Sequence, residues 1–223
     1  MGLELCWDLD WHQVISTKCW FFEIDAQNTD FLLVGWRMSG TEFVRETIRE
    51  NFPSTYNIRK WGKTHTPLID EYLPQLIQQN TKIIFSLADP RDVAAHILDW
   101  RGGQHIHHAE DQWGFDIVDE PNHIQFLNAN LNKITELYDY FHTHFGNNML
   151  TLRYEDAMNN RSLFLSQVEY FLGETPLNID NKEKYSPEVT ICKPIGVYLN
   201  KFTQSNLDAH VRDNIGFYRE WKY

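Results

Sequence analysis

The sequence predicts a three-layer α/β domain, a parallel sheet with helices on both faces. Three observations carry this. Short apolar runs at 31–34, 82–87 and 149–154 read as buried strands. Segments of helical period follow them. The stretch FLLVGWRMSGTEF, from Phe31 to Phe43, joins strand, glycine-bearing loop and helix without a break.

Taken in order, residues 1–30 are irregular and aromatic-rich, with Trp7, Trp11, Trp20, Phe21 and Phe22. Strand 31–34 leads into the loop from Gly35 to Thr41. A helix over 42–51 then sets apolar Phe43, Val44 and Ile48 between charged residues. Such a unit brings free backbone N–H groups and the positive end of the helix dipole to one point, which suits an anion. Gly40 admits close backbone approach, and Ser39 and Thr41 offer hydroxyl donors. A plain βα turn with a serine cap fits the same residues. Gly35 and Gly40 have Walker A spacing, but Thr41 stands where that motif needs lysine, which disfavours an ordinary ATPase or GTPase.

A second short strand is expected at 56–61, running into Gly62, Lys63, Thr64, His65, Thr66 and Pro67. A helix is expected over 68–79. Strand 82–87 ends at Ala88, Asp89, Pro90, Arg91 and Asp92, where another helix opens through Val93, Ala94, Ile97 and Leu98. The segment 102–121 has no clear period and reads as a lid over the site. A long helix over 122–145 stops at Gly146. Strand 149–154 is followed by a helix to about Leu172, stopped by Gly173, and the tail 203–223 contains one more helix. No internal repeat or linker interrupts the chain, so 1–223 reads as a single domain. In such folds ligands bind beyond the C-terminal ends of the strands. Three of those ends are chemically loaded: the Gly35 loop, Lys63-Thr64-His65, and Asp89-Pro90-Arg91-Asp92.

Composition narrows the classes. The 223 residues are 42% hydrophobic and 14% aromatic, enough for a substantial core. No apolar run reaches membrane-spanning length, and the acidic N-terminus lacks a signal pattern, so a soluble, cytoplasmic protein without membrane partner is expected. Cys6, Cys19 and Cys192 are widely spaced, which suits a reducing compartment and shows no metal-ligand spacing. The formal net charge of −11 argues against nucleic acid as a partner but leaves room for a local anion pocket.

Four segments, in order, resemble the cytosolic-type sulfotransferases that use 3′-phosphoadenosine 5′-phosphosulfate. WRMSGTEF resembles the family's YPKSGTTW loop. KTHTPLIDEYLPQLIQQNTKIIF resembles its K-x-H-x-P segment and the next strand. SLADPRDVAAHIL resembles the element that binds the 3′-phosphate, and LRYEDAMNNRSLFLSQVEYFLG its YED strand and following helix. KPIGVYLNKFT is a fainter echo of RKGxxGxWKNxFT. Together they cover about residues 31–203. The resemblance implies a P-loop-like fold and transfer of a sulfuryl group from that donor, without a metal, to a hydroxyl or amine of a small molecule or glycan.

The resemblance also implies roles. His65 matches the family's base, and a histidine suits removal of the acceptor's proton. Lys63 lies two residues away on the same side of an extended stretch, where it would stabilise charge on the transferring group. Arg37, Met38, Ser39, Gly40, Thr41, Glu42 and Phe43 span the donor loop, with Phe43 standing in for the adenine-stacking aromatic. Tyr154 matches a tyrosine near the adenine. The chain departs from the family twice. Met38 replaces the loop's cation, and Arg37, one residue earlier, is the candidate to stabilise charge on the transferring group with Lys63. Ala88 and His96 replace the arginine and serine of the 3′-phosphate element, leaving His96 and Arg91 as candidate contacts. Three readings accommodate this: a divergent sulfotransferase, an inactive binding protein on the same fold, and a transferase whose donor lacks the 3′-phosphate.

Other clusters read as structural. His105, His107, His108, Glu110 and Asp111 belong to the lid rather than to a metal centre. His142 and His144 suit the C-terminal end of a helix. Glu155 and Asp156 are expected to cap the helix after Tyr154.

Overall fold

The computed structural model describes residues 22–23, 25, 27–36, 39–65, 72–93 and 120–177. They form β1 (Phe22–Glu23), β2 (Phe31–Val34), α1 (Thr41–Asn51), α2 (Pro53–Ile58), β3 (Trp61–Thr64), α3 (Leu73–Gln78), β4 (Lys82–Leu87), α4 (Glu120–Phe145), β5 (Met149–Arg153), α5 (Tyr154–Asn159) and α6 (Arg161–Leu172). The chain divides into two compact units, Met1–Ala88 with Leu137–Lys193, and Asp89–Glu136 with Pro194–Tyr223.

The first unit carries the sheet, whose order is β1-β3-β2-β4-β5. β3, β2, β4 and β5 run parallel, and β1 adds an antiparallel edge on β3. The architecture is the α/β class the sequence predicts. Leu32, Leu33, Val34, Ile83, Ile84 and Phe85 are fully buried, which is why the two central strands read as unbroken apolar runs. The chain leaves β2 for β3 on one side, then passes back to β4 and on to β5 on the other. Right-handed crossovers in opposite directions place their helices on opposite faces of the sheet. The reversal leaves a crevice between the C-terminal ends of β2 and β4, where open α/β sheets bind ligands.

The main correction lies at 56–61. Tyr56, Asn57 and Ile58 belong to α2, not to a strand, and β3 begins only at Trp61. Pro53 opens α2 with its φ already set for a helix. The N–H groups of Ser54 and Thr55 in its first turn donate to the Glu174 carboxylate at 3.1 and 2.6 Å. Tyr56 then stacks on Trp61, and Trp61 on Phe31, with ring centroids 5.2 and 4.6 Å apart. Of the helix expected over 68–79, the described part is α3, and residues 66–71 lie outside the described residues, as do the lid at 102–119 and the tail.

The helix after β5 divides at Asn160 into α5 and α6, and the Asn160 side chain accepts from the Leu163 N–H. Glu155 and Asp156 occupy the first turn of α5, where the helix dipole favours negative groups, but the cap position itself is taken by Arg153. His142 stacks on Tyr138 and His144 tilts onto Tyr140, one helical turn back in each case. Lys82 pins the end of α6 to the sheet: its Nζ donates to the Phe171 carbonyl at 2.8 Å and lies 5.0 Å from that ring.

Glu174 has a testable consequence. Burial pushes its carboxyl up, but the hydrogen bonds from Thr55 and Ser54 outweigh that and hold it below the ordinary carboxylate value. A carboxylate held low in the folded state contributes stability above its unfolded pKa, lost as pH falls through the folded one. Glu174→Gln therefore lowers Tm at neutral pH, and thermal melts of the two proteins converge as pH drops below about 4.

Candidate functional site

Gly35 follows β2 directly, and its peptide is tied to the end of β3 on both sides. Its N–H donates to the Thr64 carbonyl at 3.4 Å, and its carbonyl accepts from Nδ1 of His65. A carbonyl only accepts, so Nδ1 carries the proton in this contact. His65 is buried, 7% exposed. The bond to Gly35 thus ties the ring to the loop.

The loop closes tightly over Gly35. A Cβ there would lie 2.4 Å from Ser39 Oγ, 2.7 Å from the Ser86 carbonyl oxygen and 2.8 Å from Thr41 Cγ2, so no side chain fits. From β4, Ser86 Oγ donates to the Ser39 carbonyl at 2.6 Å, and the Ser39 N–H donates to the Trp36 carbonyl at 3.1 Å. The loop is therefore held by β3 on one side and β4 on the other, in the crevice the topology creates. Ser39 is almost wholly buried, and its Oγ has no hydrogen-bond partner among the described residues. A buried hydroxyl left so costs about 1–3 kcal/mol, which makes this a position where an acceptor atom would be welcome.

Gly40 caps α1 in the left-handed region, with φ +81°. Its Cα lies against Tyr154, the first residue of α5, such that an added Cβ would meet that ring's Cδ2 at 2.4 Å. Phe43 and Tyr154 meet edge to face, centroids 5.2 Å apart, and both are buried. The two aromatics matched to the adenine side thus floor the loop. Thr41 is buried at the start of α1.

Lys63, the third residue of β3, reaches the same place. It is buried, and its Nζ makes an ion pair with Oε1 of Glu42 in the first turn of α1. The other carboxylate oxygen of Glu42 pairs with Arg45 at 2.6 Å. The structure therefore brings Lys63, His65, Ser39, Gly40, Thr41 and Glu42 together, with Phe43 and Tyr154 beneath. Arg37, Met38 and His96 lie outside the described residues.

Arg91 belongs to the second unit. Asp89 accepts from the Arg91 backbone N–H at 2.9 Å and binds its guanidinium through both carboxylate oxygens. Asp89, Pro90 and Arg91 thus build a helix start, and Arg91 is buried in that pairing. Two contributors to the loop escaped the sequence reading. Ser86 is the polar residue in the otherwise apolar end of KIIFSL, a signal that could have singled it out. The Gly35 carbonyl carries no signal at all.

Among the described residues no group of His, Cys, Asp or Glu could hold a metal ion, and no helix is long and apolar enough to cross a membrane. No protein-family model matches the chain, and no curated protein matches its sequence. In structure the chain is similar to, among others, mouse sulfotransferase SULT7A1 complexed with PAP, 18% identical over 86% of this chain and 85% of that one, with a TM-score of 0.54. This likeness shows a sulfotransferase-like fold.

The packing of Gly40 on Tyr154 can be measured by a double-mutant cycle. Gly40→Ala loses stability from the clash and from the positive φ, the latter worth about 1 kcal/mol. In a Tyr154→Ala background only the second loss remains, so the substitution costs less there but still costs. Equal costs in the two backgrounds would mean the ring does not confine the loop.

Proposed function

We propose that this chain transfers a sulfuryl group from 3′-phosphoadenosine 5′-phosphosulfate to a hydroxyl or amine, with the loop from Gly35 to Thr41 holding the 5′-phosphosulfate. One observation carries the reading: His65 and Lys63, at the end of β3, reach the loop and the first turn of α1 that follow β2. A base and a buried cation at the mouth of an anion-binding loop are what in-line transfer to a nucleophile requires.

In this reading His65 Nε2 takes the acceptor's proton as the acceptor oxygen or nitrogen attacks sulfur. The bond from sulfur to the 5′-phosphate oxygen breaks, and its electron pair leaves with adenosine 3′,5′-bisphosphate. The Gly35 carbonyl, already bonded to Nδ1, stabilises the imidazolium that forms. Lys63 offsets charge on the sulfuryl oxygens, and Ser39 Oγ and the first N–H groups of α1 donate to the 5′ end. The bisphosphate in the mouse neighbour supports the same donor class. The acceptor is a small molecule or glycan, in a cytoplasmic setting.

A second reading, a donor without the 3′-phosphate, is favoured by the residues matched to that subsite. Ala88 has no side-chain donor, and the Arg91 guanidinium already binds Asp89. Calorimetric titration separates the readings. Selective binding of adenosine 3′,5′-bisphosphate over adenosine 5′-phosphate, near −8 kcal/mol for micromolar affinity, supports the first. Equal binding supports the second, and no binding to either leaves a noncatalytic protein on this fold. For the enzyme, His65→Ala is expected to lower transfer about 10²–10⁴-fold while leaving nucleotide affinity unchanged.

A further inference from the structure

We infer that Glu42 is a specificity-determining residue of this loop: a built-in anion that holds Lys63 and Arg45 and sets how readily the loop accepts an external one. The inference rests on the proposed function for the identity of the donor, but not for the electrostatics.

The geometry is specific. Glu42 sits in the first turn of α1, two residues after Gly40 and one after Thr41, where the helix dipole favours a negative group. Its carboxylate divides between two cations, with Oε1 on Lys63 Nζ and Oε2 on Arg45 at 2.6 Å. Lys63 comes from β3, 21 residues away, with its side chain 9% exposed, whereas that of Glu42 is 34% exposed. The carboxylate therefore reaches in from the partly open side and covers a buried cation. The helix end, the buried ammonium and the guanidinium form the donor set that would hold a phosphate or sulfonate, and here a carboxylate occupies it.

An incoming anion must exchange with that carboxylate. It takes Lys63 only when Glu42 gives it up, and Glu42 then stands beside the anion as a like charge, which disfavours binding. Met38 offers this loop no cation, and Glu42 adds a repulsion. Both residues point the same way, to a loop with low affinity for highly charged anions, so donor affinity depends on the rest of the ligand more than on its charged end.

The test uses the full chain, Glu42→Gln, Glu42→Thr as a second variant, and Glu42→Gln combined with Lys63→Met. Inorganic pyrophosphate and adenosine 3′,5′-bisphosphate are titrated calorimetrically at one ionic strength. Acylation of Lys63 by an amine-reactive reagent is followed by mass spectrometry. Glu42→Gln and Glu42→Thr should bind pyrophosphate about tenfold more tightly than wild type, about 1.4 kcal/mol. The gain should vanish when Lys63 is also replaced, and Lys63 should be acylated several-fold faster once Glu42 is gone. Unchanged or weaker pyrophosphate binding in both single variants, or an unchanged Lys63 acylation rate, overturns the inference. The two readings fail separately. Tighter pyrophosphate binding without any bisphosphate binding sinks the donor assignment and keeps the role of Glu42. Bisphosphate binding by wild type with no gain on replacing Glu42 does the reverse.

Discussion

The site depends on the peptide of Gly35. Its N–H and its carbonyl both go to the end of β3, and its Cα is enclosed by Ser39, Thr41 and the Ser86 backbone. Nothing larger than glycine leaves room for the loop to fold back. The same peptide aims the imidazole of His65. The Gly35 loop and His65 are therefore one mechanical unit, and a displacement of either moves the other. A dense interior behaves this way, because close-packed groups have no slack in which to shift independently.

Around that unit the charges are arranged with restraint. Lys63 is buried, and a buried ammonium is tolerated only when paired. Glu42 supplies the pair from the neighbouring helix, and Arg45 holds the carboxylate from one turn further on. Both ion pairs are made within the folded chain itself. Any anion arriving at the loop therefore meets an ion-pair network rather than bare cations, and binding becomes an exchange of partners. Ser39 Oγ has no such partner among the described residues. The loop thus combines charges paired within the chain with a hydroxyl that has no partner among the described residues.

How far the sequence carried the fold can be judged element by element. The runs at 31–34 and 82–87 are strands because both faces of each are covered, and that burial writes itself as consecutive apolar residues. α2 went unread for the opposite reason. Six residues carry too little period to tell helix from strand, and the carboxylate that satisfies its first N–H groups comes from Glu174, 119 residues from Thr55. The start of β3 moved with it. Because β3 runs from Trp61 to Thr64, Lys63 lies inside the sheet rather than in a loop beyond it.

By itself the sequence determined the alternation of strands and helices, the strand–loop–helix unit from Phe31 to Asn51, and the chemical types available at each strand end. Those follow from local period and residue chemistry, which any stretch carries with it. The tertiary structure alone decided which strand ends meet. Strand order put β2 between β3 and β4, so the Gly35 loop received His65 from one neighbour and Ser86 from the other. It likewise decided that Lys63 answers to Glu42 and that Tyr154 seals Gly40, pairings between residues far apart in the chain. No local pattern encodes such contacts, because they arise only when the whole sheet closes and each buried polar group must find a partner within reach.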